Sequence, residues 1–331
     1  MSKLFFSNIE EIREFIPIPS TTSFSAIKPT LRNVQNKWLK PMLGSDLVDE
    51  LLDLLYAEDA VSDKQQEAID MIRFPLANYL LHQSTDIINL SVVEGGFVRN
   101  AGEDKVAASA NSIVQFKEQL FINSQEGFDQ LMEFLEANAD DFTSWKDSDA
   151  RKAYKLSFIT SASEFNSGLL GIEVGEFVFR KMYKVMLTLE PRFLIKVLGA
   201  ELFAEMKTKL KNSESLEVYA PILPYVQRAL APLTFAECCY TLGVKVGANG
   251  VYISSIKNAN EPQQHNAPSA AKETNIEILH RNHADKCFED LASHLIENAD
   301  TYTLFKDSSA FTDRSTSAIL PEEGDAAYYA L

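Results

Sequence analysis

Apolar residues at 43, 47, 48, 51, 52 and 55 recur at three- and four-residue spacing, which predicts a helix with one buried face. Its other face carries Asp46, Asp49, Glu50 and Asp53. A basic helical stretch, Ile27 to Lys40, precedes it. A longer helix is expected from Lys64 to about His82, with Ile69, Ile72, Leu76 and Leu80 inward; Pro75 should kink or split it. The period then falls to two. Ile87 to Val93, Gly95-Gly96 and Phe97-Val98 read as a β-hairpin. Two further helical segments are expected near Val106 to Ile122 and Glu126 to Ala137, after which Phe142 and Trp145 fold an aromatic back onto the core.

This pattern occurs twice. Phe128 to Ala150 aligns without a gap on Phe288 to Ala310 at an offset of 160, with 11 of 23 positions identical. Leu43-Gly44 matches Leu198-Gly199 at an offset of 155, and Leu47, Val48, Leu51 and Leu55 match Leu202, Phe203, Met206 and Leu210. Pro75-Leu76 matches Pro232-Leu233 at an offset of 157. The second copy has its own basic helix, Glu176 to Leu189. Its hairpin, Val244 to Val246 and Val251 to Ile253, surrounds Asn249-Gly250, a dipeptide that supplies the positive φ angles of tight turns. Its last helical segments fall at Asn275 to His283 and Asp285 to Glu297. The period is too long for a solenoid repeat, so each copy is expected to be a domain.

The fold class that follows is mainly α, with a β-hairpin in each of two tandem homologous helical domains. The expected organisation is an N-terminal segment 1–24, a first unit 25–163, a linker 164–175, a second unit 176–315 and a tail 316–331. Gly168, Gly171 and Gly175 motivate the linker. Glu261 to Lys272 is polar and aperiodic and reads as a loop. A residue kept in both copies serves the shared fold, whereas one present in a single copy is free to specialise.

Composition narrows the function. Thirty-one basic and 47 acidic residues leave a net charge of −16, which argues against a broad nucleic-acid or anionic-membrane surface. No apolar run is long enough for a membrane span. Met1 to Phe6 begins like a signal peptide, but Asn8, Glu10, Glu11 and Glu14 interrupt the apolar core such a peptide needs, so synthesis is expected to be intracellular. Three cysteines fit a reducing compartment.

The chemistry-bearing candidates are few. His280, His283 and Cys287 sit at i, i+3 and i+7, with His294 seven residues on; on one helix face this set could hold zinc. Set against the first copy, His280 and His294 align with the core residues Leu120 and Phe134, and a packing role is the stronger reading. Cys238-Cys239 falls in an apolar helical run. The glycines at 168, 171 and 175 match neither a Walker loop nor a dinucleotide fingerprint, and no HExxH or GxSxG occurs. No catalytic residue, cofactor or metal is therefore expected, and the chain is read as a non-enzyme.

Charge is segregated. Lys28, Arg32, Lys37 and Lys40 form a stretch with no acidic residue; nine acidic residues and one basic one follow from Asp46 to Asp70. Solvated helix faces account for such blocks. A basic face meeting an acidic face on a neighbour would also do so, and is what a closed head-to-tail ring needs. Asp46, Asp49, Glu50 and Asp53 and the four basic residues are the interface candidates, joined by Tyr328 and Tyr329 in the apolar tail, which are expected to order against a partner.

The run Ile27-Lys28-Pro29, Val34-Gln35, Leu39-Lys40-Pro41-Met42-Leu43-Gly44, Leu47, Leu51-Leu52 resembles a motif of Bacteroidetes phage and prophage proteins associated with head–tail connectors, or adaptors. Phe142-Thr143, Trp145-Lys146, Ser148 and Phe158-Ile159, Ser161-Ala162, Glu164-Phe165 extend the likeness. The resemblance implies a virion structural protein in the neck: a homo-oligomeric, twelve-fold ring docked on the portal, contacting other neck or tail proteins. It would be assembled in the host cytoplasm, with DNA passing through without sequence-specific binding and no membrane involved. It offers no catalytic residues. Two alternatives stand beside it, a cytoplasmic two-domain helical adaptor or regulatory protein, and a zinc-dependent hydrolase using the His280 cluster.

Overall fold

The structure, a computed structural model, describes residues 3–18, 22–57, 61–93, 96–99, 110–212, 214–247, 250–253 and 270–316. It divides into two compact units. Unit one takes residues 1–153, 175–178 and 251–264; unit two takes 154–174, 179–250 and 265–331. Both are mainly helical, and the described residues include two two-stranded hairpins, one from each copy of the sequence pattern. The tail with Tyr328 and Tyr329, and the loop from 261 to 269, lie outside the described residues.

Unit one opens with α1 (Ile9–Arg13) and α2 (Phe24–Val34), continues through a π-helical turn (Gln35–Leu39) into α3 (Lys40–Leu43), and breaks at Gly44 before α4 (Ser45–Leu55). The π turn precedes Pro41. Proline has no N–H for the Lys37 carbonyl and its ring crowds it; widening the turn relieves both, and Lys40 N–H bonds Gln35 O instead. The long α5 (Asp63–Asn89) pairs with α6 (Ala110–Ala137), and β1 (Leu90–Val93) and β2 (Gly96–Arg99) lie between them in sequence, paired antiparallel from Leu90 opposite Arg99 to Val93 opposite Gly96. Two expectations are corrected. Pro75 does not split α5, which runs through it with Ile72, Leu76, Ala77 and Leu80 buried on either side. The described part of the segments expected near 106–122 and 126–137 is one helix. Short α7 (Thr143–Lys146) and α8 (Asp149–Lys152) close the unit.

The second copy of the sequence pattern repeats the order: α9 (Ala162–Asn166), α10 (Glu176–Leu198), α11 (Ala200–Lys211), α12 (Leu223–Thr241), β3 (Val244–Gly247), β4 (Gly250–Ile253), α13 (Ala270–Glu297), α14 (Thr303–Lys306) and α15 (Ser309–Thr316). Here too α12 and α13 are the paired long helices, and Ala270 to Lys272, expected in a loop, begin α13.

The positions kept in both copies hold the core. Trp145 and Phe305 are fully buried. Trp38 sits 6.1 Å from Phe128 and its counterpart Phe193 sits 6.0 Å from Phe288. Gly44 and Gly199 both take positive φ, +89° and +81°, with extended ψ. The first lies against Ser148 and Ala150, the second against Ser308 and Ala310. These four contacts are the aligned residues of the longest sequence match. An exposed ion pair is duplicated as well: Lys146 bonds Asp140 at 2.8 Å and Lys306 bonds Asp300 at 2.6 Å, and in each pair the ammonium holds the carboxyl below its ordinary range.

A third shared element precedes each unit's first long helix. Phe5 N–H donates to Gln35 Oε1 at 3.3 Å, and Phe158 N–H donates to Glu190 Oε1 at 3.1 Å; Gln35 and Glu190 are counterparts at the 155 offset. In both places the main chain then enters a capped helix whose third-position carboxylate reaches back to the residue before the N-cap. Asn8 caps α1 by accepting from Glu11 N–H while Glu11 accepts from Ser7 N–H at 2.9 Å. Ser161 caps α9 by accepting from Glu164 N–H while Glu164 accepts from Thr160 N–H at 2.7 Å. Ile12 and Phe165 follow, both fully buried. Residues 3–12 and 156–165 are thus the same strap. The stretch 164–175, expected as a linker, contains this strap's helix end and buried Phe165 and Val174.

Candidate functional site

The expected basic and acidic faces are not two separate surfaces. Lys40 Nζ bonds Asp49 at 2.6 Å, and Lys3 Nζ bonds Asp53 at 2.7 Å. Glu50 accepts a hydrogen bond from Ser144 on α7. Half of the acidic candidates are therefore neutralised by lysines of their own unit. Asp46 is exposed in the first turn of α4, where the helix dipole favours a carboxylate. Arg32 and Lys37 are exposed and make no ion pair among the described residues, and the Lys28 ammonium lies 5.8 Å from the Phe24 ring centre. Exposed pairs of this kind contribute little. Reversing Asp49 or Asp53 to lysine is expected to cost no more than about 1 kcal/mol, read from urea unfolding of the two single variants. A larger loss would show that Lys3 or Lys40 anchors the strap or the helix turn rather than merely solvating.

The His280 set does not converge on a metal. His280 is buried, its Nδ1–H donates to Ile276 O at 2.9 Å, and its Nε2 accepts from Leu170 N–H at 3.4 Å. Both ring nitrogens are engaged, the ring packs 4.8 Å from Phe235, and burial lowers its proton affinity. His283 reaches Cys287 Sγ at 3.7 Å through Nε2, but burial raises the Cys287 thiol, opposite to what a thiolate ligand requires. His294 stacks on Tyr225 at 4.5 Å. Among the described residues no group of three or more His, Cys, Asp or Glu is placed to hold a metal ion. Cys238 is buried and Cys239 half-buried on α12, and the apolar surroundings push the Cys238 thiol strongly up.

A concave surface lies among residues that no sequence motif marks. An open groove of about 520 Å³ runs along α5 and α6 of unit one, lined by Asp63, Glu67, Asp70, Met71, Phe74 and Gly127 among others. Its floor depends on a size exchange between the copies. A Cβ on Gly127 would lie 2.6 Å from Phe74 Cδ1, so Phe74 needs glycine opposite. In unit two the same two positions are Ala231 and Cys287, small facing medium. The acidic run from Asp46 to Asp70 was visible as charge; the Phe74–Gly127 fit was not, because the partners are 53 residues apart and only the three-dimensional pairing of α5 with α6 joins them.

A tandem pair of one helical unit, with its fold-holding residues retained and its surface charge diverged, defines the class of this protein. The chain matches a family of unknown function, DUF6712, over residues 39–155 and again over 194–315, and it belongs to that family. No curated protein sequence and no solved structure matches it. Among the described residues no helix is long and apolar enough to cross a membrane.

Proposed function

We propose that this protein is a structural component of the neck of a tailed phage: a head–tail connector whose copies form a ring on the portal and continue the DNA channel. The observation that carries the reading is the tandem duplication of a unit whose connector-like motif forms a packed turn in both copies. The motif residues Gly44 and Ser148 meet in unit one, and Gly199 and Ser308 repeat the contact in unit two. Fold is maintained in both copies while charge changes between them, as expected of a scaffold that presents different surfaces to different neighbours. The net charge of −16 supports a channel wall to which passing DNA does not adhere. In this reading the ring is twelve-fold, is assembled in the host cytoplasm and resides in the virion neck, with the portal and the next neck or tail protein as partners.

The test is co-assembly with the portal protein of the genome that encodes this chain. Mixed with portal rings, the protein is expected to co-sediment with them and to add a layer visible by electron microscopy. A chain that stays a small, monodisperse oligomer and leaves the portal bare would overturn the connector reading in favour of a cytoplasmic adaptor.

A further inference from the structure

Unit two shows what the unit-one groove lacks. In unit two the chain leaving α9 lies directly on α12: a Cβ on Gly168 would be 2.9 Å from Ala231 Cβ, 3.2 Å from Arg228 Cα and 3.2 Å from Gln227 O. Leu170 N–H then bonds His280 on α13. With Pro75 aligned on Pro232, Gln227, Arg228 and Ala231 correspond to Asp70, Met71 and Phe74. Those three line the groove. Among the described residues, unit two therefore covers with its own backbone the surface that unit one leaves open.

The open copy has also changed chemistry. Where unit two has Ala220, Pro224 and Gln227, unit one has Asp63, Glu67 and Asp70, at i, i+4 and i+7 along one rim of α5. Asp70 accepts from Gln66 at 3.1 Å and lies 3.8 Å from Arg73. Asp63 and Glu67 are exposed and have no cation at ion-pair distance among the described residues. Beside this rim are half-buried Met71 and the exposed Phe74 ring. An apolar floor with carboxylates along one side fits a segment that offers an apolar side chain between cations.

The chain carries such a segment. Between 181 and 196 the exposed residues of α10 are Lys181, Lys184, Thr188, Pro191, Arg192, Ile195 and Lys196, with no exposed acid among them. Ile195 is 37% exposed and is flanked on the same helix face by Arg192 and Lys196, one turn apart, about 6 Å along the axis. The carboxylates of Asp63 and Glu67 are likewise one turn apart. We infer that the unit-one groove seats the α10 stripe of a second copy of this chain, with Ile195 on the Met71–Phe74 floor and Arg192 and Lys196 against Asp63 and Glu67. The contact is heterologous, since groove and stripe are different surfaces, and it propagates from copy to copy. It deepens the ring reading by naming its two faces.

Charge exchange tests it on the full-length chain. Sedimentation velocity at low ionic strength is expected to show concentration-dependent association, weakened by salt. The groove reversal D63K/E67K and the stripe reversal R192E/K196E are each expected to weaken association by about tenfold or more, with unchanged circular dichroism. The quadruple variant, which restores opposite charges across the contact, is expected to recover most of the lost affinity. Association of either double variant at wild-type strength, a quadruple variant no better than the doubles, or a wild-type chain that remains monomeric would each overturn the inference. Self-association with charge recovery but without portal binding would leave this interface standing and remove the connector reading instead.

Discussion

Replacing Gly199 by alanine is expected to destabilise unit two by about 3 kcal/mol or more, through two separate costs. The backbone there has φ +81° and ψ 154°, a region essentially reserved to glycine. The added methyl would also lie 2.7 Å from Ser308 Oγ and 2.8 Å from Ser308 Cβ, so either the helix end or α15 must shift. Gly44 has the same backbone, but its nearest obstacle is Ser148 Cβ at 3.3 Å. The Gly44 variant should therefore keep the conformational cost and lose most of the steric one. Thermal unfolding is expected to show a drop of roughly 10 °C for the Gly199 transition and a smaller one for Gly44→Ala. Adding Ser308→Gly should recover part of the first loss and none of the second. Equal losses at the two glycines would show that contact with Ser308 does not matter.

A second large effect is expected at Glu190. Its carboxylate is fully buried on α10, yet it accepts from Ser157 Oγ, from Phe158 N–H at 3.1 Å and from Lys207 Nζ at 2.5 Å. Lys207 in turn donates to Leu156 O and lies 5.1 Å from the centre of the Phe158 ring. Removing the acid leaves a part-buried ammonium, a hydroxyl and an amide without their acceptor, so Glu190→Ala is expected to cost about 3–5 kcal/mol. Glu190→Gln keeps an acceptor for the amide and mimics Gln35, the neutral counterpart in unit one, and should cost markedly less. Guanidinium unfolding of both variants decides it. If Glu190→Ala falls within about 1 kcal/mol of wild type, the cluster does not hold the strap.

The duplication explains both how much of this fold could be read from sequence and where reading failed. Eleven identities in 23 positions marked α6–α8 against α13–α15, and the Leu-Gly step marked the ends of α3 and α10, because burial and positive φ tolerate few substitutes. The strap escaped notice for the opposite reason. Its work is done by main-chain bonds and by caps that several side chains can supply, so Phe-Ser-Asn-x-x-Glu at 6–11 and Ile-Thr-Ser-x-x-Glu at 159–164 share a mechanism but only one identity. Phe5 and Phe6, which in sequence resemble the start of a signal peptide, are core residues, and Glu11, which interrupts that pattern, is the capping carboxylate. Gly168, which in sequence points to a linker, is required by contact with Ala231. Among the site candidates, charge alone placed Lys40 and Asp49 on opposing faces; the turn at Gly44 brings them together. The groove required a comparison that one-dimensional alignment does not make, between a surface left open in one copy and covered in the other.

The two straps also set an order of events during synthesis. The first strap meets Gln35 after 30 residues and Arg73, which donates to Phe5 O, after 68; the second meets Glu190 and Gln227 after 32 and 69. The proper slot of each strap is thus the next one to leave the ribosome. Loop closure favours the nearer partner, and at usual elongation rates roughly eight seconds or more separate the first strap's own slot at Gln35 from the other at Glu190. By then the slot at Gln35 has been available since early in translation. The later slot asks for different chemistry, a carboxylate with a lysine in place of an amide. Timing and chemistry together keep two similarly folded halves from exchanging their leading ends as they emerge.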